Sequence, residues 1–145
     1  MDECLLCTME TADDEVVVFR DDLWAAEIVP GYDVPGWIIL RARRHAERMT
    51  GLSGAELAGF GQRARDIIAA ITQVTGAPAT YLMAFGERYP HFHALITPRG
   101  EDVPPERRSG NILQLRLDHS DPAGAAALIP GLRAAYRRSA LTPSV

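Results

Sequence analysis

His91-Phe92-His93-Ala94-Leu95 places two imidazoles two residues apart inside an apolar run that closes with Ile96, Thr97, Pro98 and Arg99. Alternate side chains of a strand share a face, so His91, His93 and Leu95 are expected on one side and Phe92, Ala94 and Ile96 on the other. Neutral imidazole can ligate a metal, carry a proton or act as a nucleophile near neutral pH. Toward the N-terminus, Cys4-x-x-Cys7 has a spacing shared by redox pairs and zinc sites, and buried apolar thiols are the plain alternative. Two further nitrogen ligands would decide for zinc, whose structural sites take four N or S donors. The chain offers four histidines to choose from: His45, His91, His93 and His119.

These groups must be positioned by a modest set of elements. Val16 to Arg20 and Leu23 to Val29 are β-rich and separated by Asp21-Asp22, which predicts an antiparallel pair. A loop rich in Pro and Gly, with Pro30, Gly31, Asp33, Pro35 and Gly36, leads into a short apolar strand from Trp37 to Leu40. The clearest helix is expected from Ser53 to Thr75. Ser53 and Glu56 have the spacing of a capping box, and Leu52 with Leu57 that of a hydrophobic staple. Leu57, Phe60, Ala64, Ile67, Ile68, Ile71 and Val74 recur at helical spacing as one stripe, and Gly76 and Pro78 stop it. Thr80 to Phe85 and His91 to Thr97 read as two more strands joined by the loop Gly86-Glu87-Arg88-Tyr89-Pro90. The expectation is an α+β domain with an antiparallel sheet of about five strands and one long amphipathic helix. Asp121-Pro122 marks a smaller C-terminal helical segment, which Pro130 must kink or split.

The 145 residues fit the usual size of about 100–200 for one domain, with a core near residues 4–99 and an extension from 100 to 145. The hydrophobic share of 47% and charged share of 23% are those of an ordinary globular protein. A net charge of −4 argues against nucleic-acid or anionic-membrane partners, and all 15 basic residues are arginine, which suits bidentate phosphate contacts. The start Met1-Asp2-Glu3 lacks the basic and apolar regions of a secretory leader, and no apolar run reaches spanning length. The expected location is therefore cytoplasmic, where Cys4 and Cys7 do not form a structural disulfide.

The order of these features, from Cys4 to Arg99, resembles the histidine-triad superfamily, particularly its zinc-bearing bacterial branch. The resemblance implies a structural zinc held by Cys4, Cys7, His45 and His91, the last being the first histidine of the triad. It also implies that His93, in the middle place, attacks phosphorus to form a covalent histidine intermediate. Many such proteins are homodimers, and the Trp37 to Leu40 strand with the long helix offers apolar surface for pairing.

The pattern departs from the family at four places. Leu95 stands where the third histidine would be, Glu87 and Arg88 replace a glutamine and a hydroxyl residue, and Val29 replaces the acidic or amide residue that meets a ribose. Arg88 can bind phosphate oxygens bidentately beside the nucleophile, and Glu87 can protonate a leaving group or orient His93; as a plain alternative, both are solvated loop residues. Arg41, Arg43, Arg44 and Arg48 around His45 can add positive potential to the site, although solvated surface charge is the plainer expectation for such a cluster. The implied activity is that of a nucleotide phosphohydrolase or nucleotidyl transferase acting on a phosphoanhydride or phosphoramidate. The alternative is an inactive, zinc-containing nucleotide-binding or regulatory protein.

Overall fold

The computed structural model describes residues 3–141, so the last residues of the expected C-terminal extension lie outside it. Five strands form one sheet in the order β1-β2-β3-β5-β4. They are β1 (Val17–Arg20), β2 (Trp24–Glu27), β3 (Ile38–Ala42), β4 (Ala79–Met83) and β5 (His93–Arg99), and every neighbouring pair is antiparallel. Asp21 closes the β1–β2 hairpin because its carboxylate accepts from the Leu23 and Trp24 N–H groups at 3.0 and 2.9 Å. Its other oxygen accepts from Arg63 at 2.7 Å, which ties the hairpin to the long helix.

Four α-helices, α1 (Leu5–Thr8), α2 (Gly54–Thr75), α3 (Pro122–Ala127) and α4 (Ile129–Leu141), are accompanied by short 3-10 segments among the described residues. The capping box of α2 is present in both directions, Ser53 accepting from the Glu56 N–H at 3.1 Å while the Glu56 carboxylate accepts from the Ser53 N–H at 2.7 Å. Gly76 ends the helix in the left-handed region at φ 68°, where a side chain would be strained. Ala64, Ile67 and Ile71 face the sheet, but Leu57 is 46% exposed. The stripe therefore starts one turn later than its periodicity suggests. The first turn sends Glu56 inward instead, where it pairs with Arg44 and its carbonyl accepts from the Trp24 indole.

Both faces of the sheet are covered. Trp24, Ile38, Leu40 and Ile96 pack with Ile67, Ile71, Ile129 and Leu132 on the face under α2 and α4. On the other face, Trp37, Ile39 and Leu95 pack with Leu6, Met9, Val34, Ile112 and Leu115. The segment beyond Gly100 thus contributes to both cores. Part of it, Ser109–Leu117, winds as 3-10 turns, which explains why no 3.6-residue period shows there: Ile112 and Leu115 are buried at a spacing of three. The Pro130 break falls at Leu128, between α3 and α4.

Two expectations need correction. The Trp37 to Leu40 strand is not a dimer surface, because β3 lies at the centre of the sheet and Trp37, Ile38, Ile39 and Leu40 are all buried within the chain. Nor is Arg41 a solvated surface charge. It is fully buried, donating to both oxygens of Glu27 at 3.1 and 2.6 Å and meeting Glu10 at 2.8 Å. Arg43 also grips Glu10, and Arg44 grips Glu56, so most of the basic cluster is structural. The pairs with Glu10 clamp the N-terminal segment onto the sheet, and the Arg44–Glu56 pair holds the start of α2.

Removing Glu27 leaves a buried guanidinium without its bidentate partner. Glu27→Ala should lower unfolding free energy by roughly 3–5 kcal/mol, read from urea midpoints. The Glu10 carboxyl is held down to about 2 by hydrogen bonds from Arg43, and then from Arg41, against the opposing effect of burial. A folded-state value below the ordinary 4.5 contributes stability that is complete above that pH and is lost as pH falls toward about 2. Glu10→Gln should therefore flatten that part of the stability–pH curve, measured by thermal melts at stepped pH.

Candidate active site and metal centre

Cys4 and Cys7 bracket the single turn of α1, with Cys4 as its N-cap and its Sγ accepting from the Cys7 N–H at 3.4 Å. His45 follows β3, and His91 lies two residues before the start of β5 rather than within it. The approach to β5 is irregular because the Phe92 N–H donates to the Ala46 carbonyl at 2.6 Å and the Ala42 N–H to the Phe92 carbonyl at 3.1 Å. The four side chains converge, all their ligand atoms lying within 4.8 Å of one another.

The separations match a metal tetrahedron. Nδ1 of His91 stands 3.5 Å from Sγ of Cys4, 3.5 Å from Sγ of Cys7 and 3.2 Å from Nδ1 of His45, and the Cys7–His45 contact is 3.3 Å. Zinc with about 2.05 Å bonds to nitrogen and about 2.3 Å bonds to sulfur gives tetrahedral edges of about 3.3 Å (N···N) and about 3.6 Å (N···S). The Nε2–H of His91 donates to the Ala42 carbonyl at 2.5 Å, which turns Nδ1 toward the other three donors. Burial lowers the His91 pKa, with the nearby imidazole and guanidinium of His45 and Arg41 acting in the same sense and the Ala42 bond opposing, so the ring is neutral, the form that ligates metal. Burial, followed by its interactions with Cys4, raises the Cys7 thiol, an effect that a bound cation reverses. Donor set and geometry fit structural zinc.

His93 lies beside this cluster on the face of Ile39 and Leu95, opposite Arg41 in the β3–β5 register. Its Nδ1 donates to the backbone carbonyl of His91 at 2.6 Å, which leaves the Nε2 lone pair uncommitted. Burial depresses its pKa, with the bond to the His91 carbonyl opposing. The ring borders two cavities, one of about 300 Å³ and one of about 490 Å³. Glu87 reaches both, whereas Arg88 lines the smaller one only, and both are exposed on the loop that the sequence places before the histidines. Leu95, at the third-histidine place, is part of the apolar floor of the smaller cavity.

Comparison with solved structures places the fold. The chain superposes on a hypothetical histidine triad nucleotide-binding protein from Sulfolobus tokodaii with a TM-score of 0.71 at 18% identity, covering 93% of each chain. A zinc-bound histidine triad family protein from Mycobacterium smegmatis gives 0.66 at 18% identity, over 93% of this chain and 94% of that one. The chain has the histidine-triad fold. A uridylyltransferase structure matches at 25% identity and TM-score 0.63, over 93% of this chain but 45% of that longer one. No protein-family profile and no curated protein matches the sequence. Among the described residues no helix is long and apolar enough to cross a membrane.

Within the histidine-triad fold, two wall residues of the smaller cavity escaped sequence reasoning, Tyr32 and Arg116. Tyr32 sits in the Pro- and Gly-rich loop, and Arg116 on the 3-10 segment. The spacing of Ile112 and Leu115 was the available signal, since it sets which neighbours turn outward. Tyr89 is half-buried, its ring meeting that of Tyr32 edge-on at 6.3 Å.

His45 is the exposed member of the metal cluster, so its loss should leave the core intact. Wild-type protein purified without chelators should carry about one zinc per chain, and His45→Ala should lose most of it and melt at lower temperature. Metal analysis of the two proteins checks this; metal-free wild type with both thiols reactive would overturn it.

Proposed function

We propose that the protein is a nucleotide phosphohydrolase or nucleotidyl transferase in which His93 attacks phosphorus. The observation that carries this reading is the 2.6 Å bond from His93 Nδ1 to the His91 carbonyl, which presents a free Nε2 at the junction of two cavities. The Nε2 lone pair forms the N–P bond while the leaving group departs with the P–O or P–N electron pair. Water or another acceptor then displaces the histidine and regenerates it. Because burial holds the ring neutral, no proton must be removed before attack.

Arg88 binds equatorial phosphate oxygens, and Glu87 protonates the leaving group or orients His93. Cys4, Cys7, His45 and His91 hold zinc, whose part is structural: it joins the N-terminal segment to the start of β5. The backbone carbonyl that fixes the His93 tautomer belongs to one of those ligands, so metal loading and nucleophile placement are linked. The protein works as a single histidine-triad domain in the cytoplasm. Homodimers form through the open edge of β4, where Leu82 and nearby Phe85 are exposed. A second reading, an inactive nucleotide-binding or regulatory protein, is favoured by one observation: Leu95 is buried among apolar groups and offers the phosphate no hydrogen bond.

His93→Ala should reduce turnover at least about a thousandfold with the melting temperature preserved, and the acid-labile phosphorus adduct formed by wild type should vanish. His91→Ala should instead lose zinc and stability first. Leu95→His tests the departure from the triad: it introduces a polar group into an apolar setting, at a cost of about 1–3 kcal/mol if unsatisfied, while supplying a phosphate contact. Steady-state rates on nucleoside phosphoramidates, dinucleotides and nucleotide sugars decide among these. Full turnover by folded His93→Ala removes the nucleophile, and no turnover by wild type on any of them selects the binding protein.

A further inference from the structure

The smaller cavity beside His93 has an unusual charge balance for its wall. Two guanidinium groups line it, Arg88 and Arg116, and neither has an ion pair among the described residues. Most other arginines near the sheet are matched to carboxylates, as Arg41, Arg43, Arg44 and Arg63 are. Glu87 is the only carboxylate on this wall, and it too lacks a partner there.

Arg116 is held in place without being neutralised. Its Nε–H donates to the Gly31 carbonyl at 2.6 Å, and its guanidinium lies 4.0 Å from the centre of the Tyr32 ring. Neither contact cancels the charge, and the remaining N–H donors have no hydrogen-bond partner among the described residues. Tyr32 and Tyr89 narrow the same wall, while Ile39, Met83, Leu95 and Leu113 make an apolar base. A guanidinium anchored at Nε over a ring keeps its two terminal nitrogens for a planar, two-oxygen acceptor. The Leu95 floor cannot bind anion, so charge recognition in this cavity falls to its wall.

We propose that Arg116, braced by Tyr32 and the Gly31 carbonyl, forms an anion subsite that takes a second phosphate of the ligand whose first phosphate lies at His93. The inference rests on the reading of His93 as the phosphate-facing nucleophile and adds to it. Arg88 serves the phosphate at the nucleophile, Arg116 the one beyond it. The subsite favours nucleoside diphosphates and diphosphate-linked compounds over phosphoramidates, because a departing amine is neutral or cationic and gains nothing from a second guanidinium.

The test is calorimetric titration of the full-length, zinc-loaded protein with AMP and ADP, and with UMP and UDP in parallel so that the base does not bias the result. Wild type should bind each diphosphate at least about tenfold more tightly than its monophosphate. Arg116→Gln should abolish that preference while leaving monophosphate affinity within about twofold, whereas Arg88→Gln should weaken both ligands. Equal affinity of wild type for mono- and diphosphates overturns the subsite even if Arg116→Gln fails to fold. So does an equal loss of both ligands in a folded Arg116→Gln protein. In either case a retained His93-dependent turnover leaves the nucleophile reading standing. Absence of any nucleotide binding by wild type, together with no His93-dependent turnover, overturns both.

Discussion

The buried guanidinium of Arg41 is the constraint on which the rest of the structure depends. It lies at the centre of the sheet, with Glu27 on the neighbouring strand and Glu10 from the N-terminal segment closing around it. A charge in that position is tolerated only with its partners in place, so β2, β3 and the residues after α1 must come together. That requirement brings Cys4 and Cys7 over the sheet beside His45 and His91. The register places His93 opposite Arg41, and the nucleophile is thus located by the same strand pair that holds the ion cluster.

His91 joins the two halves of the site through different atoms. Its ring spans from the Ala42 carbonyl to the cysteine and histidine donors, while its own carbonyl accepts the hydrogen bond from His93 Nδ1–H. Side-chain and main-chain chemistry meet in a single residue, so a shift that rotates the peptide at His91 alters the metal geometry and the His93 tautomer together. The burial of both rings acts in the same direction, keeping each imidazole neutral for its separate task.

Much of this was legible in the sequence. Order of elements, the capping box at Ser53, the stop at Gly76 and the break near Pro130 all follow from local rules, because local hydrogen bonding and backbone permissiveness decide them. The metal donors were legible through a resemblance of spacing, and their convergence is a property of the fold. What the sequence hid are features decided by tertiary contact. Arg41 reads like its exposed neighbours until Glu10 and Glu27 meet it, and Leu57 reads as core although the first turn of α2 directs Glu56 rather than Leu57 inward, toward Arg44 and Trp24. The 3-10 segment hid Arg116 and Leu113 because its period is neither that of a helix nor that of a strand.

The distance along the chain between the two halves of the cluster has a consequence for biosynthesis. Cys4 and His91 are 87 residues apart, and His45 lies between them, so the donor set is completed only when synthesis has passed His91, just ahead of β5. A nascent chain that has exposed the two thiols and His45 can hold a metal only as an incomplete, open-sided complex. Its final ligand arrives together with the strand that carries the nucleophile. Capture of the ion in closed form and maturation of the reactive residue therefore fall at the same moment of synthesis, and a chain truncated before His91 cannot form the closed complex.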